Sequence, residues 1–195
     1  MILTIERLGH LGDGIAEGPI FVPMALPGET VEGTVDGDQM SDIRIITPSP
    51  DRVRPSCPHF KACGGCLLQH ASDDFVAHWK QEIVETALKA QGLESAFRPI
   101  QTSPPQSRRR ASLSATRTKK GATVGLHGRA SGTIIPIPSC QLLHPDLMAV
   151  IPALEQITII GGSRKGEITF AITQSAHGVD VGATGGKPLD ATLRI

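Results

Sequence analysis

The sequence predicts an α+β protein: a small N-terminal β-barrel, a cysteine knuckle, and an antiparallel sheet packed with helices. Three observations carry this. The first fifty residues are short apolar runs broken by GDG, PGE and DGD turns. Three of the four cysteines then crowd into CPHFKACGGC, behind a proline-marked linker, SPDRVRPS. Beyond them, segments alternating apolar and polar residues are interleaved with helical ones.

In order, Ile2 to Ile5, Ile20 to Met24, Thr30 to Val35 and Asp42 to Thr47 read as strands. Short strands at such close spacing suit a closed or nearly closed barrel. A helix is expected over 73–91. Ser72 is placed to cap it, Asp73 and Asp74 favour its positive end, and Gly92 stops it. Phe75, Trp79, Ile83 and Ala87 recur every fourth residue and predict a buried stripe. Trp79 is therefore read as core rather than as a platform for a stacked base. From Arg109 the period becomes two. Ala111, Leu113 and Ala115 point one way; Arg110, Ser112, Ser114 and Thr116 point the other. A turn at Lys119 to Gly121 leads to strands over 122–127 and 132–137. Pro145 opens a helix expected to run to Gln156. Strands over 167–173 and 178–182 complete the antiparallel sheet.

The chain has 195 residues, enough for two small domains, and its acidic and basic side chains balance. No apolar run approaches a membrane span and the N-terminus has no signal pattern, so a cytoplasmic protein without membrane association is expected. Charge is unevenly spread. No acidic residue occurs between Glu94 and Asp146, a stretch holding Arg98, Arg108, Arg109, Arg110, Arg117, Lys119, Lys120 and Arg129. Such a stretch attracts phosphates over about 8 Å at physiological salt. A solvated basic face with no partner would look the same.

Cys57, Cys63, Cys66 and Cys140 are the only cysteines, spaced C-x5-C-x2-C with one remote partner. Four thiolates suit either a tetrahedral zinc site or a cubane iron–sulfur cluster. Zinc more often uses two separated pairs, so the spacing leans to iron–sulfur and leaves zinc open. Gly64 and Gly65 let the backbone turn tightly enough for Cys63 and Cys66 to face one centre. His59 and His70 are spare as ligands and read as structural. Joining Cys66 to Cys140 would also pin the basic strand against the knuckle, which suggests an ordering role for the site rather than electron transfer.

CPHFKACGGCLLQH, the following KQEIV helix, SRRRASLS and GLHGRASGTIIPIPSCQLLHP together resemble the bacterial S-adenosylmethionine-dependent RNA 5-methyluridine methyltransferases. IERLGHLGDGIAEG and IFVPMALPGETVEG resemble the TRAM domain that precedes the cysteines in those enzymes. The resemblance implies an OB-like TRAM barrel over 1–52 and an iron–sulfur segment with a central RNA-binding α+β domain over 53–195. It implies that Cys57, Cys63, Cys66 and Cys140 ligate a [4Fe-4S] cluster. It also implies that Arg108, Arg109, Arg110, Arg117, Lys119 and Lys120 face rRNA or tRNA, with the triplet the strongest candidate. Family members often carry an aromatic residue where this chain has Ser107. A monomer is expected.

Methyl transfer to uracil C5 further requires a cysteine nucleophile, a general base and a Rossmann-like domain for S-adenosylmethionine. With all four cysteines committed as ligands no nucleophile is left, and GATGG near the end runs into Lys187 and Pro188 rather than a helix. The expectation is an N-terminal portion, inactive alone, of a longer enzyme whose catalytic domain would begin after Ile195. A stand-alone RNA-binding iron–sulfur or zinc module is the alternative. Radical methylthiotransferases also pair TRAM with a cluster, but they use C-x3-C-x2-C and carry TRAM last.

Overall fold

A computed structural model describes residues 1–187; Pro188 and the seven residues after it lie outside the described residues. The chain forms two compact units. One comprises Met1–Pro55 with Leu67–Thr102, the other Ser56–Cys66 with Ser103–Ile195. The sequence suggested one crossing near residue 52, whereas the chain crosses three times. The helix expected in the second domain therefore stays with the barrel. The reason is local pairing: Val53 N–H donates to His70 O at 2.9 Å, and Ser72 N–H to Asp51 O at 2.8 Å. Leu68 and Ala71 are buried in a cluster with Leu8 and Leu26.

In the first unit, β1 (Ile2–Leu8), β2 (Gly14–Ala16), β3 (Ile20–Val22), β4 (Thr30–Asp36) and β5 (Gln39–Thr47) close a barrel in the order β1-β2-β3-β5-β4. It is the expected OB-like arrangement with one strand more than the sequence pattern showed. β2 was missed because three residues inside GDGIAEG are too short to display a period. Ile5, Ala16, Val22, Ala25, Val31 and Met40 fill the interior. Glu29 is completely buried beside them.

Helix α1 (Asp73–Ala90) begins as expected, with Ser72 Oγ accepting from Phe75 N–H. It ends in a Schellman turn. Gly92 adopts φ +69°, its N–H donates to Lys89 O, and Leu93 N–H donates to Leu88 O. The predicted stripe is buried less than expected. Phe75 and Trp79 pack on the Leu8, Leu26, Leu68 and Ala71 cluster but remain half-buried, and Ala87 is exposed. Ala77 is the buried residue of this helix. Beyond Trp79 the helix lines an open groove of about 670 Å³ with Arg7, His10 and Pro27.

The second unit holds an antiparallel sheet of β6 (Arg110–Arg117), β7 (Ala122–His127), β8 (Ile134–Pro136), β9 (Ile168–Ser175) and β10 (Gly178–Thr184), in the order β10-β9-β6-β7-β8. The apolar face read in β6 is placed as expected, with Leu113 opposite Phe170 and Ala115 opposite Ile168, but Ser114 between them is buried as well. These pairs form one core with Leu143, Leu147 and Leu154, the large apolar side chains each contributing about 1.5–3 kcal/mol by burial. The single helix expected over 145–156 is two, α2 (Pro145–Ala149) and α3 (Ile151–Gly161). Pro152 has no N–H, and its ring would strike the carbonyl of Met148 one turn back, so the axis breaks at Val150. Among the described residues no helix is long and apolar enough to cross a membrane.

Candidate functional site

Local hydrogen bonds shape the knuckle. Phe60 N–H donates to Cys57 O at 3.2 Å, and Cys63 N–H to His59 O at 2.8 Å. It docks on the end of the β7–β8 hairpin. Gly64 N–H donates to His127 O at 2.9 Å, Arg129 N–H to Ala62 O at 3.1 Å, and Cys63 bridges Gly128. The docking distance explains the glycine. A Cβ on Gly64 would stand 2.9 Å from His127 O, a backbone atom that cannot step aside.

All four cysteines belong to this unit. Cys63 and Cys140 are buried in its core, and Cys57 and Cys66 are half-buried. The two buried sulfurs have matching surroundings: Gly65 N–H donates to Cys63 Sγ at 3.3 Å, and Leu142 N–H donates to Cys140 Sγ at 3.4 Å. In each case the donor is two residues beyond the sulfur it serves. Backbone N–H donors to sulfur are the kind of outer contact that orients cysteine ligands in metal sites. His59 Nε2 lies 3.0 Å from Ser139 Oγ, linking the knuckle to the residue before Cys140. His70 falls in the other unit. Among the described residues no three His, Cys, Asp or Glu side chains gather as ligands of one metal ion.

Arg129 is part of this arrangement, although its sequence position marked it only as one cation among several. One terminal nitrogen donates to Cys66 O at 2.8 Å, and the guanidinium carbon stands 5.3 Å from the centre of the buried Phe60 ring. Its Nε is buried and has no hydrogen-bond partner among the described residues. No short-range signal could have found it, since the groups it touches lie far away in the chain.

The six basic candidates are all exposed, and none forms an ion pair among the described residues. They do not form one patch. Arg108, Arg109 and Arg110 enter β6, while Arg117, Lys119 and Lys120 leave it, about 23 Å away along an eight-residue strand. The triplet's backbone is fastened to the segment after Cys140. Gln106 N–H donates to Gln141 O, Arg108 N–H to Leu142 O, and His144 N–H to Arg108 O. Ser107 Oγ donates to Pro104 O at 2.6 Å, within the same loop. On the sheet face away from the core, Ser114 and His127 both bond Glu167. The Ser114 hydroxyl, and then His127, hold its carboxyl below the ordinary range.

No family model matches the chain. It is 38% identical to an uncharacterized RNA methyltransferase of Caulobacter vibrioides, over 98% of this chain and 49% of that protein. It is 37% identical to the 23S rRNA (uracil(1939)-C(5))-methyltransferase of Dechloromonas aromatica, over 78% of this chain and 38% of that protein. The crystal structure of Pyrococcus abyssi tRNA (uracil-54, C5)-methyltransferase with S-adenosyl-L-homocysteine shares the fold. Its TM-score is 0.64 at 22% identity, over 97% of this chain and 47% of that one. The chain thus spans about half the length, or less, of the relatives it matches. Over that shared length it is similar to RNA methyltransferases, uracil-C5 enzymes among them.

Proposed function

We propose that the chain is the N-terminal, RNA-gripping portion of an S-adenosylmethionine-dependent RNA uracil-C5 methyltransferase, with a [4Fe-4S] cluster on Cys57, Cys63, Cys66 and Cys140. The observation that carries this is the shared scaffold of cysteines and cations. The segment following Cys140 is the one that hydrogen-bonds the start of β6, so whatever orders Cys140 also orders Arg108, Arg109 and Arg110. Four thiols are the donor set such a cluster takes, and backbone N–H groups reach the sulfurs of Cys63 and Cys140. When bound, the cluster would supply a rigid cross-link between the knuckle and the Cys140 loop.

On this reading residues 1–52 are a TRAM-like barrel that helps hold rRNA or tRNA. The Arg triplet contacts phosphates while the target uridine is turned out of its stack. Nucleophile, general base and S-adenosylmethionine site belong to a part of the protein outside this chain. The chain's own residues bind, orient and order. The test is anaerobic purification of the full-length protein with its visible spectrum and its iron and sulfide content. Broad visible absorption with equimolar iron and sulfide is expected. A colourless product containing zinc would overturn the cluster assignment.

A further inference from the structure

Arg129 is engaged by the knuckle on three sides. Its backbone N–H reaches Ala62 O, a terminal nitrogen reaches Cys66 O, and its guanidinium lies against Phe60. All three contacts fall inside the segment that carries Cys57, Cys63 and Cys66. Arginine's planar fork suits this position, because it can donate to a carbonyl, lie against a ring and still hold one N–H for a further acceptor. Of the donors left over, Nε–H is sealed from solvent with no acceptor among the described residues. Arg129 also has no carboxylate partner among them. A donor sealed in this way is costly to leave unpaired, and an anion placed nearby would satisfy it. The chemistry that supplies it is on the same loop, since cysteines that ligate metal do so as thiolates.

We propose that Arg129 is the charge-compensating positioning residue of the four-cysteine site: it fixes the Cys66 backbone, and its cation and Nε–H balance the thiolate-bound group. This rests on the cluster reading given above. Four thiolates on an iron–sulfur cluster leave a net negative charge, and reduction adds one electron more. A fixed cation favours the reduced form by Coulomb attraction, and hydrogen bonds to cluster sulfur act in the same direction.

The test uses full-length protein, prepared anaerobically and reconstituted with iron and sulfide where needed. Wild type, Arg129→Lys, Arg129→Gln and Phe60→Leu are compared. Iron and sulfide per chain, midpoint potential by optical redox titration, and bleaching rate in air are measured. Arg129→Gln is expected to have a more negative midpoint and to bleach several-fold faster. Arg129→Lys, which keeps the charge without the fork, should load less cluster while holding the midpoint near wild type. Phe60→Leu, which removes the ring beside the guanidinium but keeps the cation, should lower loading while moving the midpoint less than Arg129→Gln does. A Gln variant that refuses the cluster while the Lys variant accepts it also supports the charge role. The proposal falls if the Gln midpoint equals wild type, if Phe60→Leu moves the midpoint as far as Arg129→Gln, or if the Lys and Gln variants fail to load alike. Wild type without iron and sulfide would instead sink the cluster reading itself, before any variant is made.

Discussion

Replacing Glu29 with alanine should destabilise the barrel unit by about 3 kcal/mol. The side chain is fully buried and accepts four hydrogen bonds. They come from Leu26 N–H at 2.8 Å, Ser49 N–H at 3.1 Å, and Arg52 Nε and Nη2 at 2.5 and 2.8 Å. Arg52 Nη2 also reaches Met24 O, so this one carboxylate fastens the β3–β4 connection to the segment after β5. Truncation leaves two backbone donors and a guanidinium without their acceptor. Breaking a buried pair from one side costs about 3–5 kcal/mol, and the lower end applies because Arg52 keeps 21% exposure and regains some water. For a unit of this size that is a fall in Tm of about 15 °C.

Trp79, the only tryptophan, lies in the same unit and reports the transition by fluorescence. The pH dependence gives an independent check. Burial alone would raise the Glu29 pKa, but the Arg52 hydrogen bond, the Leu26 and Ser49 donors and the Arg52 charge outweigh it, so the carboxyl lies below its ordinary value. A depressed folded pKa contributes stability that is fully present above the unfolded value, about 4.3, and is lost as pH falls through the folded value. Wild type should therefore weaken on the acid side with a slope that Glu29→Ala lacks. A variant within about 0.5 kcal/mol of wild type, or one with the same acid slope, would refute the reasoning.

Three further outcomes are expected. Gly64→Ala should prevent the knuckle from docking on His127 O and strip most iron from anaerobically purified protein, and a fully loaded alanine variant would show that the close approach is not required. Changing Arg108, Arg109 and Arg110 together to glutamine should weaken single-stranded RNA binding and reduce the log–log salt slope by about 2, at about 0.7 per phosphate contact. An unchanged slope would remove the triplet from the interface. Because Arg117, Lys119 and Lys120 lie at the other end of β6, their removal should act additively with the triplet's.

Much of the fold is legible wherever the signal is local. The Ser72 cap and the Gly92 stop of α1 act over four or five residues, and the sequence shows both groups side by side. The two-residue period of β6 marks its buried face because central antiparallel strands must alternate. The same locality limits the reading. Three-residue β2 has no period to display. The break at Val150 needed Pro152 weighed against the apolar pattern running through it. The stripe on α1 shows its period plainly, yet Phe75 and Trp79 are covered only as far as Leu8, Leu26 and Leu68 reach.

By itself the sequence determined the α+β class, the barrel followed by an antiparallel sheet, the C-x5-C-x2-C spacing with its remote fourth cysteine, and the basic stretch. Those depend on residue types and short spacings. Only the tertiary structure decided that Glu29, one of several acids in a polar-looking segment, is a buried anchor for Arg52. Only it placed Arg129 against Phe60 and Cys66, divided the six cations between two ends of a strand, and returned the chain to the barrel after Cys66. Each of these depends on partners far apart in the chain, and a charged residue looks the same in the sequence whether water or another residue satisfies it.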